Sequence, residues 1–354
     1  MRKFLSSLLL LSLFLGLHSP VQAQAPALAD LYPADTSAFP TVSTLLDVFD
    51  ERGVFATGLT KDAVTVIEDR QPIKPDELTE EALPAQLIVG INSGPALDVR
   101  DGQGISRFQR LVQVLDGWAQ TLPSENPDNM SLVSISGPVI SHANPADFRS
   151  SLGSFSPDFR NTTPNLQSLS LALDIATMQT ARQGMKRAVL FITPHMDDPN
   201  IATIMQPLID RAVQNKVRVF VWFVDLDLYF ATTSAAAFST LASKTGGSLF
   251  AFSGTEAFPN PEAYFAPLRR TYALKYTSAI KTGGDHTLGV EVSLPAGKVD
   301  SAEQAISVVL EPPNPILVAP PLQITRQAPA DNPFNTKVLD PEQQTLKIII
   351  EFAD

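Results

Sequence analysis

Cysteine is absent from all 354 residues. Its absence excludes disulfides, thiolate zinc sites, iron–sulfur clusters and thiol nucleophiles. An excess of positive charge is also lacking: 26 Lys and Arg face 37 Asp and Glu, for a formal net charge of −11. Such a chain has no electrostatic footprint for gripping phosphates or an anionic membrane surface, so nucleic acid is not an expected partner. The 18 glycines have no triplet spacing, which excludes a collagen-like chain. No phosphate-cradling Gly-x-Gly-x-x-Gly motif follows a strand, and neither Ser93 nor Ser136 lies in Gly-x-Ser-x-Gly. What remains is globular in composition, 44 % hydrophobic and 18 % charged, with length for about two domains.

The first residues have the three parts of a secretory signal peptide: Arg2 and Lys3, the apolar run Phe4 to Leu17, and Val21-Gln22-Ala23 before a cleavage point. Residues 1–23 are therefore expected to be removed, which takes the charge from −11 to −13, and the protein is expected in the periplasm, at the cell surface or outside the cell. No later segment is long and apolar enough to span a bilayer, so a membrane enters the reading only through an anchor beyond the C-terminal residue. The strand-like stretch Gln344 to Phe352 has no partner strand after it. It either pairs back onto an earlier sheet or opens a further domain, and the second reading is the expectation here.

Residues 24–40 are Ala- and Pro-rich without a period and read as a flexible lead-in. Residues 41–84 form a β segment, with strands at Thr41 to Phe49 and Val64 to Ile67. From 85 to 270 strands and helices alternate. Apolar runs at Leu87–Ile91, Ser131–Ile135, Ala188–Thr193, Val217–Val224 and Ser248–Phe252 are separated by helical patterns. The helices are expected at Phe108 to Leu122, Asn165 to Met178, Ile201 to Val213, Ser234 to Lys244 and Pro261 to Arg270, with Pro207 in a first turn or at a kink. Near-continuous apolar strands alternating with amphipathic helices predict a doubly wound, mostly parallel sheet covered on both faces. Residues 271–311 supply further strands that complete a β-sandwich with the first segment, so the α/β domain is an insertion in, or is flanked by, that sandwich. Residues 312–354 read as a stiff Pro-rich linker and the start of a further β domain.

The α/β section resembles a von Willebrand factor type A domain over about half of the chain. The resemblance is carried by Leu87-Ile88-Val89-Gly90-Ile91-Asn92-Ser93-Gly94, by Asn129 to Ser136, by Asn161-Thr162-Thr163-Pro164-Asn165-Leu166, and by Arg187 to Thr193 leading into Pro194-His195-Met196-Asp197-Asp198. The β segment with Val54 to Asp62 and Glu68-Asp69 is similar to the one preceding such domains in exported bacterial proteins. Members of the family usually carry a metal-ion-dependent adhesion site, an Asp-x-Ser-x-Ser turn joined by a Thr and a later Asp. Here Ile91 stands in place of the first Asp, Pro95 in place of the second Ser, and Pro194 in place of the later Asp, while Ser93 and Thr162 or Thr163 match.

The resemblance thus implies a degenerate site over Asn92, Ser93, Thr162, Thr163, Asp197 and Asp198, with Asp98 and His195 in loops that contact a partner. Neutral oxygens alone hold magnesium poorly against its hydration shell, so no resident cofactor is expected. A weak Mg2+ or Mn2+ site rebuilt from Asn92, Asp98, Asp197 and Asp198 is the alternative. The expected function is a non-catalytic, exported protein–protein interaction module, adhesive or scaffolding, whose partner is a protein. A serine hydrolase using Ser93 or Ser136 with His195 as base is the enzyme-class rival.

Overall fold

A computed structural model describes residues 27–310 except 52, 124 and 179–182, together with the strand residues 314–317, 326–327, 340–341 and 348–351. The signal-peptide reading, residues 1–23, lies outside the described residues.

Two antiparallel sheets come from both ends of this region. The first has the order β1 (Leu28–Leu31), β2 (Thr41–Phe49), β12 (Arg270–Thr277), β5 (Glu77–Ala82). The second has β14 (Gly297–Asp300), β13 (Gly284–Leu294), β3 (Val64–Glu68) and β4 (Gln71–Ile73), with β15 (Gln304–Val308) also paired to β13. Strands from before and after the α/β section are hydrogen-bonded neighbours: Tyr272 is opposite Leu46, and Val290 opposite Val66. The alternating inward residues Val42, Leu46, Val64, Val66, Tyr272, Leu274, Tyr276, Val290 and Val292 share one core, as expected for two sheets packed face to face. The lead-in expected over 24–40 is a correction: Leu28–Leu31 is a strand paired with β2, its Ala29 and Leu31 buried in the sandwich.

Between β5 and β12 lies the α/β body. Its six-stranded sheet has the order β11 (Leu249–Phe252), β10 (Val217–Val224), β9 (Arg187–Thr193), β6 (Gln86–Ile91), β7 (Asn129–Ser134), β8 (Gly137–Ala143). All pairings are parallel except β7 with β8. The helices are α1 (Arg107–Thr121), α2 (Pro145–Ser154), α3 (Gln167–Met178), α4 (Ile201–Gln214), α5 (Thr233–Lys244) and the single turn α6 (Glu262–Phe265). β9 shows why these strands are apolar throughout: Ala188, Leu190 and Ile192 enter the core containing α1 residues, while Val189 and Phe191 enter the core containing α3, α4 and α5 residues. Both faces are covered, so every position is selected for burial.

Local chemistry sets the helix ends. Ser106 and Gln109 form a reciprocal capping box at α1. Asn144 caps α2 ahead of Pro145, and Thr232 caps α5. α5 ends where Gly246 adopts φ +77° and the Gly247 N–H reaches the Ala242 carbonyl at 2.8 Å.

Three further expectations are corrected. The helix at Pro261 to Arg270 is only α6 plus a 3-10 turn at Ala266–Arg269, because Pro267 interrupts it and β12 already begins at Arg270. Of the two places expected for Pro207, the first turn is excluded, because it is an interior residue of α4. The Pro-rich stretch contains a strand, β16 (Asn314–Leu317), paired antiparallel with β19 (Ile348–Glu351), so the C-terminal strand has a partner within the stretch read as linker. Strands β17 (Arg326–Gln327) and β18 (Asp340–Pro341) also pair.

An ion pair and a cation–π contact join the body to the sandwich. Lys186 Nζ is 2.9 Å from Asp47 Oδ1, off the hydrogen-bond direction, and donates to the Arg270 carbonyl at 2.5 Å. Burial pushes the Lys186 pKa down, against the opposing pull of Asp47. Arg218 lies 3.9 Å over the Phe49 ring and donates to the Gly53 carbonyl at 3.2 Å.

Candidate functional site

In an open parallel sheet ligands bind outside the carboxyl ends of the strands, where the chain order reverses. Here β6 continues to β7 on one side while β9 flanks it on the other, so the reversal falls between β6 and β9. The residues leaving those strands are Asn92-Ser93-Gly94 and Pro194-His195-Met196.

Asn92 is fully buried and spent on structure. Its Nδ2 donates to Thr193 Oγ1 at 2.9 Å, and its Oδ1 accepts from the Asn165 amide at 3.1 Å. This side chain ties the ends of β6 and β9 to the loop before α3. Ser93 is 1 % exposed and its hydroxyl has no hydrogen-bond partner among the described residues. A Cβ on Gly94 would stand 2.5 Å from Pro164 Cγ and 3.3 Å from Pro194 Cγ. The two prolines therefore pack closely onto this turn. Thr162 donates its hydroxyl to the Asp158 carbonyl, and Thr163 is exposed with its carbonyl accepting from Asn165 Nδ2 at 3.3 Å.

The acidic residues lie elsewhere. Asp98 ends the 3-10 turn Pro95–Asp98, with Arg100 at 3.6 Å. Asp198 accepts the Asn200 amide at 2.8 Å in the approach to α4, and Asp197 is exposed. Among the described residues no three His, Asp or Glu side chains come together as a possible cation shell. A hard divalent cation needs several converging oxygens.

His195 is organised instead by a residue the sequence reading missed. Its Nδ1–H donates to Asp225 Oδ2 at 2.6 Å, and its backbone N–H reaches the same oxygen at 3.0 Å. Asp225 is 2 % exposed at the end of β10, and its other oxygen accepts the Leu226 amide at 2.8 Å. The imidazole lies flat on the Tyr229 ring, with centroids 3.5 Å apart and planes 8° from parallel. Its Nε2 has no hydrogen-bond partner among the described residues. The available signal was an Asp directly after the six apolar residues Val219 to Val224, at the strand end where such sheets place functional groups. Beside this stack Leu226 and Leu228 are 44 % and 62 % exposed.

A His–Asp pair needs a nucleophile within hydrogen-bond reach to act as a hydrolase. Among the described residues the Ser93 hydroxyl has no hydrogen-bond partner, and Ser136 sits in the β7–β8 turn with its amide on the Ser134 hydroxyl at 3.2 Å. Neither hydroxyl is hydrogen-bonded to His195 among the described residues.

No protein-family model matches the chain, and no curated protein matches it. Solved structures similar to it include an aerotolerance-related membrane protein from Bacteroides fragilis, at 13 % identity over 52 % of this chain and 98 % of that one. The SpRpn10 VWA domain is similar at 14 % identity over 49 % and 91 %. The pilus adhesin SpaC from Lactobacillus rhamnosus GG is similar at 10 % identity over 93 % of this chain and 54 % of that one. Each has a TM-score of 0.38.

Proposed function

We propose that this chain is an exported, non-catalytic protein-binding module that recognises its partner through the strand-end loops around His195, without a strongly bound metal. One observation supports the reading: Pro164 and Pro194 pack against Gly94 in the turn after β6, the turn that the resemblance would make part of a cation site. The remaining surface is a fixed imidazole–phenol stack next to the exposed Leu226 and Leu228. Aromatic and aliphatic groups held rigid at a rim make contact area at low entropic cost. Export rests on the pattern of residues 1–23, and no helix of the described residues is long and apolar enough to cross a membrane.

Calorimetric titration of the mature chain with magnesium and manganese, followed by melts with and without chelator, tests the metal part. A micromolar site would raise the melting temperature at millimolar metal by mass action; the expected result is no heat and no shift. Photo-crosslinkers placed at Leu228 and, as a control, at the sandwich residue Lys298 test the surface. Partner capture from position 228 that persists in chelator is expected. Capture from position 298 alone, or only with divalent metal, would sink the reading.

A further inference from the structure

A second constellation lies at the end of β11, on loops the proposed partner surface does not use. The turn Ser253-Gly254-Thr255 directs its backbone N–H groups onto a single oxygen, Glu256 Oε2, at 2.7, 3.2 and 3.3 Å. The Ser253 hydroxyl adds a bond to Oε1 at 2.8 Å. Successive N–H groups converging on one point form an anion cradle. No helix begins here to need a cap, since α6 starts only at Glu262. Burial opposes the charge of Glu256, but the amides of Ser253, Glu256 and Gly254 outweigh it and hold the carboxyl down at about 2.

Next to the cradle is a cavity of about 210 Å³ lined by the same turn and by Arg100, Arg107 and Arg110. Arg107 is 5 % exposed and braces the turn, donating to the Ser253 carbonyl at 2.6 Å and the Ala96 carbonyl at 3.2 Å. Arg110 pairs with Asp101 through its Nε at 2.7 Å, and Arg100 donates to the Gly104 carbonyl at 2.8 Å. Val99, Ile105 and Phe252 complete the wall, and apolar walls strengthen an ionic contact relative to open water. Asp101 pairs with Arg110 and Asp98 lies by Arg100, while the buried Arg107 feels the charges of Asp225 and Glu256.

We propose that this cavity binds a single oxyanion of the carboxylate or phosphate class, and that Glu256 is its tethered stand-in, leaving the cradle when the outside anion enters. A tethered competitor acts at an effective concentration in the millimolar range, so the wild-type protein binds weakly and removal of the tether exposes the site.

The test uses the full mature chain and its E256A, E256Q and E256A/R100Q variants, titrated with acetate and with inorganic phosphate at constant ionic strength. Amide shifts of Ser253, Gly254 and Thr255 are followed by NMR. E256A should bind one of the two anions about tenfold or more tightly than wild type. E256Q, which keeps an acceptor in the cradle, should fall between them, and E256A/R100Q should lose most of the gain. Preference for acetate identifies a carboxylate ligand and preference for phosphate a phosphorylated one. Shifts in E256A that chloride reproduces, or that R100Q leaves unchanged, overturn the proposal. If E256A does not fold, E256Q decides alone: affinity no higher than wild type overturns it.

Discussion

His195 and Tyr229 lie ring on ring, 3.5 Å between centroids, and the buried carboxylate of Asp225 holds the imidazole there by its Nδ1. One carboxylate thus sets the orientation of a ring, a loop amide and the start of the next loop. Replacing Asp225 by Asn puts an N–H where one of these donors needs an acceptor. D225N is expected to lose about 1–3 kcal/mol, the usual cost of an unsatisfied buried polar group. Chemical denaturation measures this, and faster hydrogen exchange at the His195 amide would localise it; unchanged exchange would show that Asp225 does not hold the loop.

G94A tests the closure by proline. Gly94 has extended backbone that any residue adopts, so the penalty comes from space alone: a methyl there meets Pro164. Overpacking of this kind costs about 1–3 kcal/mol. The melting temperature should drop by the same amount in magnesium and in chelator. A drop seen only in magnesium would mean that the mutation had disturbed a cation site.

The Lys186–Asp47 pair predicts a non-additive series. Removing one member of a buried pair leaves the other charge stranded and costs about 3–5 kcal/mol, whereas replacing both by apolar groups is often near neutral. K186M and D47L should each be strongly destabilised, and K186M/D47L should recover most of the loss. Denaturation curves of the three variants decide; additive losses would remove the coupling.

Two groups give opposite pH signatures. His286 sits against Asp69, its Nδ1 at 2.7 Å, and this hydrogen bond raises its pKa above the ordinary 6.5. The stability it contributes is complete below 6.5 and is lost as pH rises through the raised value. Glu256 is the reverse: its contribution is present above the ordinary 4.5 and is lost as pH falls through about 2. NMR titration should find His286 above 6.5 in the wild type and lower in D69N. An identical titration in the two proteins would contradict the pairing.

The parallel sheet was legible because burial on both faces leaves continuous apolar runs, as at Ala188–Thr193 and Val217–Val224, and because the helices between them repeat at three and four residues. The exposed edge strands β5 and β8 left no such trace: Glu77–Ala82 is polar almost throughout, and Gly137–Ala143 is broken by Pro138. β1 was hidden for a related reason, being four residues long in an Ala- and Pro-rich stretch. At the site, Asn92, Ser93 and His195 were visible from their place after strands. Their partners Asp225 and Asn165 were not, because the His195–Asp225 and Asn92–Asn165 contacts are 30 and 73 positions apart in sequence and leave no local pattern.

The chain enters and leaves the α/β body through adjacent residues: Ala82, the last of β5, is directly opposite Arg270, the first of β12. Mechanically the body hangs from the sandwich on a two-stranded stalk, which by itself resists stretching better than twisting. The contacts of Lys186 and Arg218 act as outriggers on that stalk, turning a swivel into a bracket. A load applied at the His195 loops would then pass into the sandwich through these side-chain contacts as well as the peptide chain.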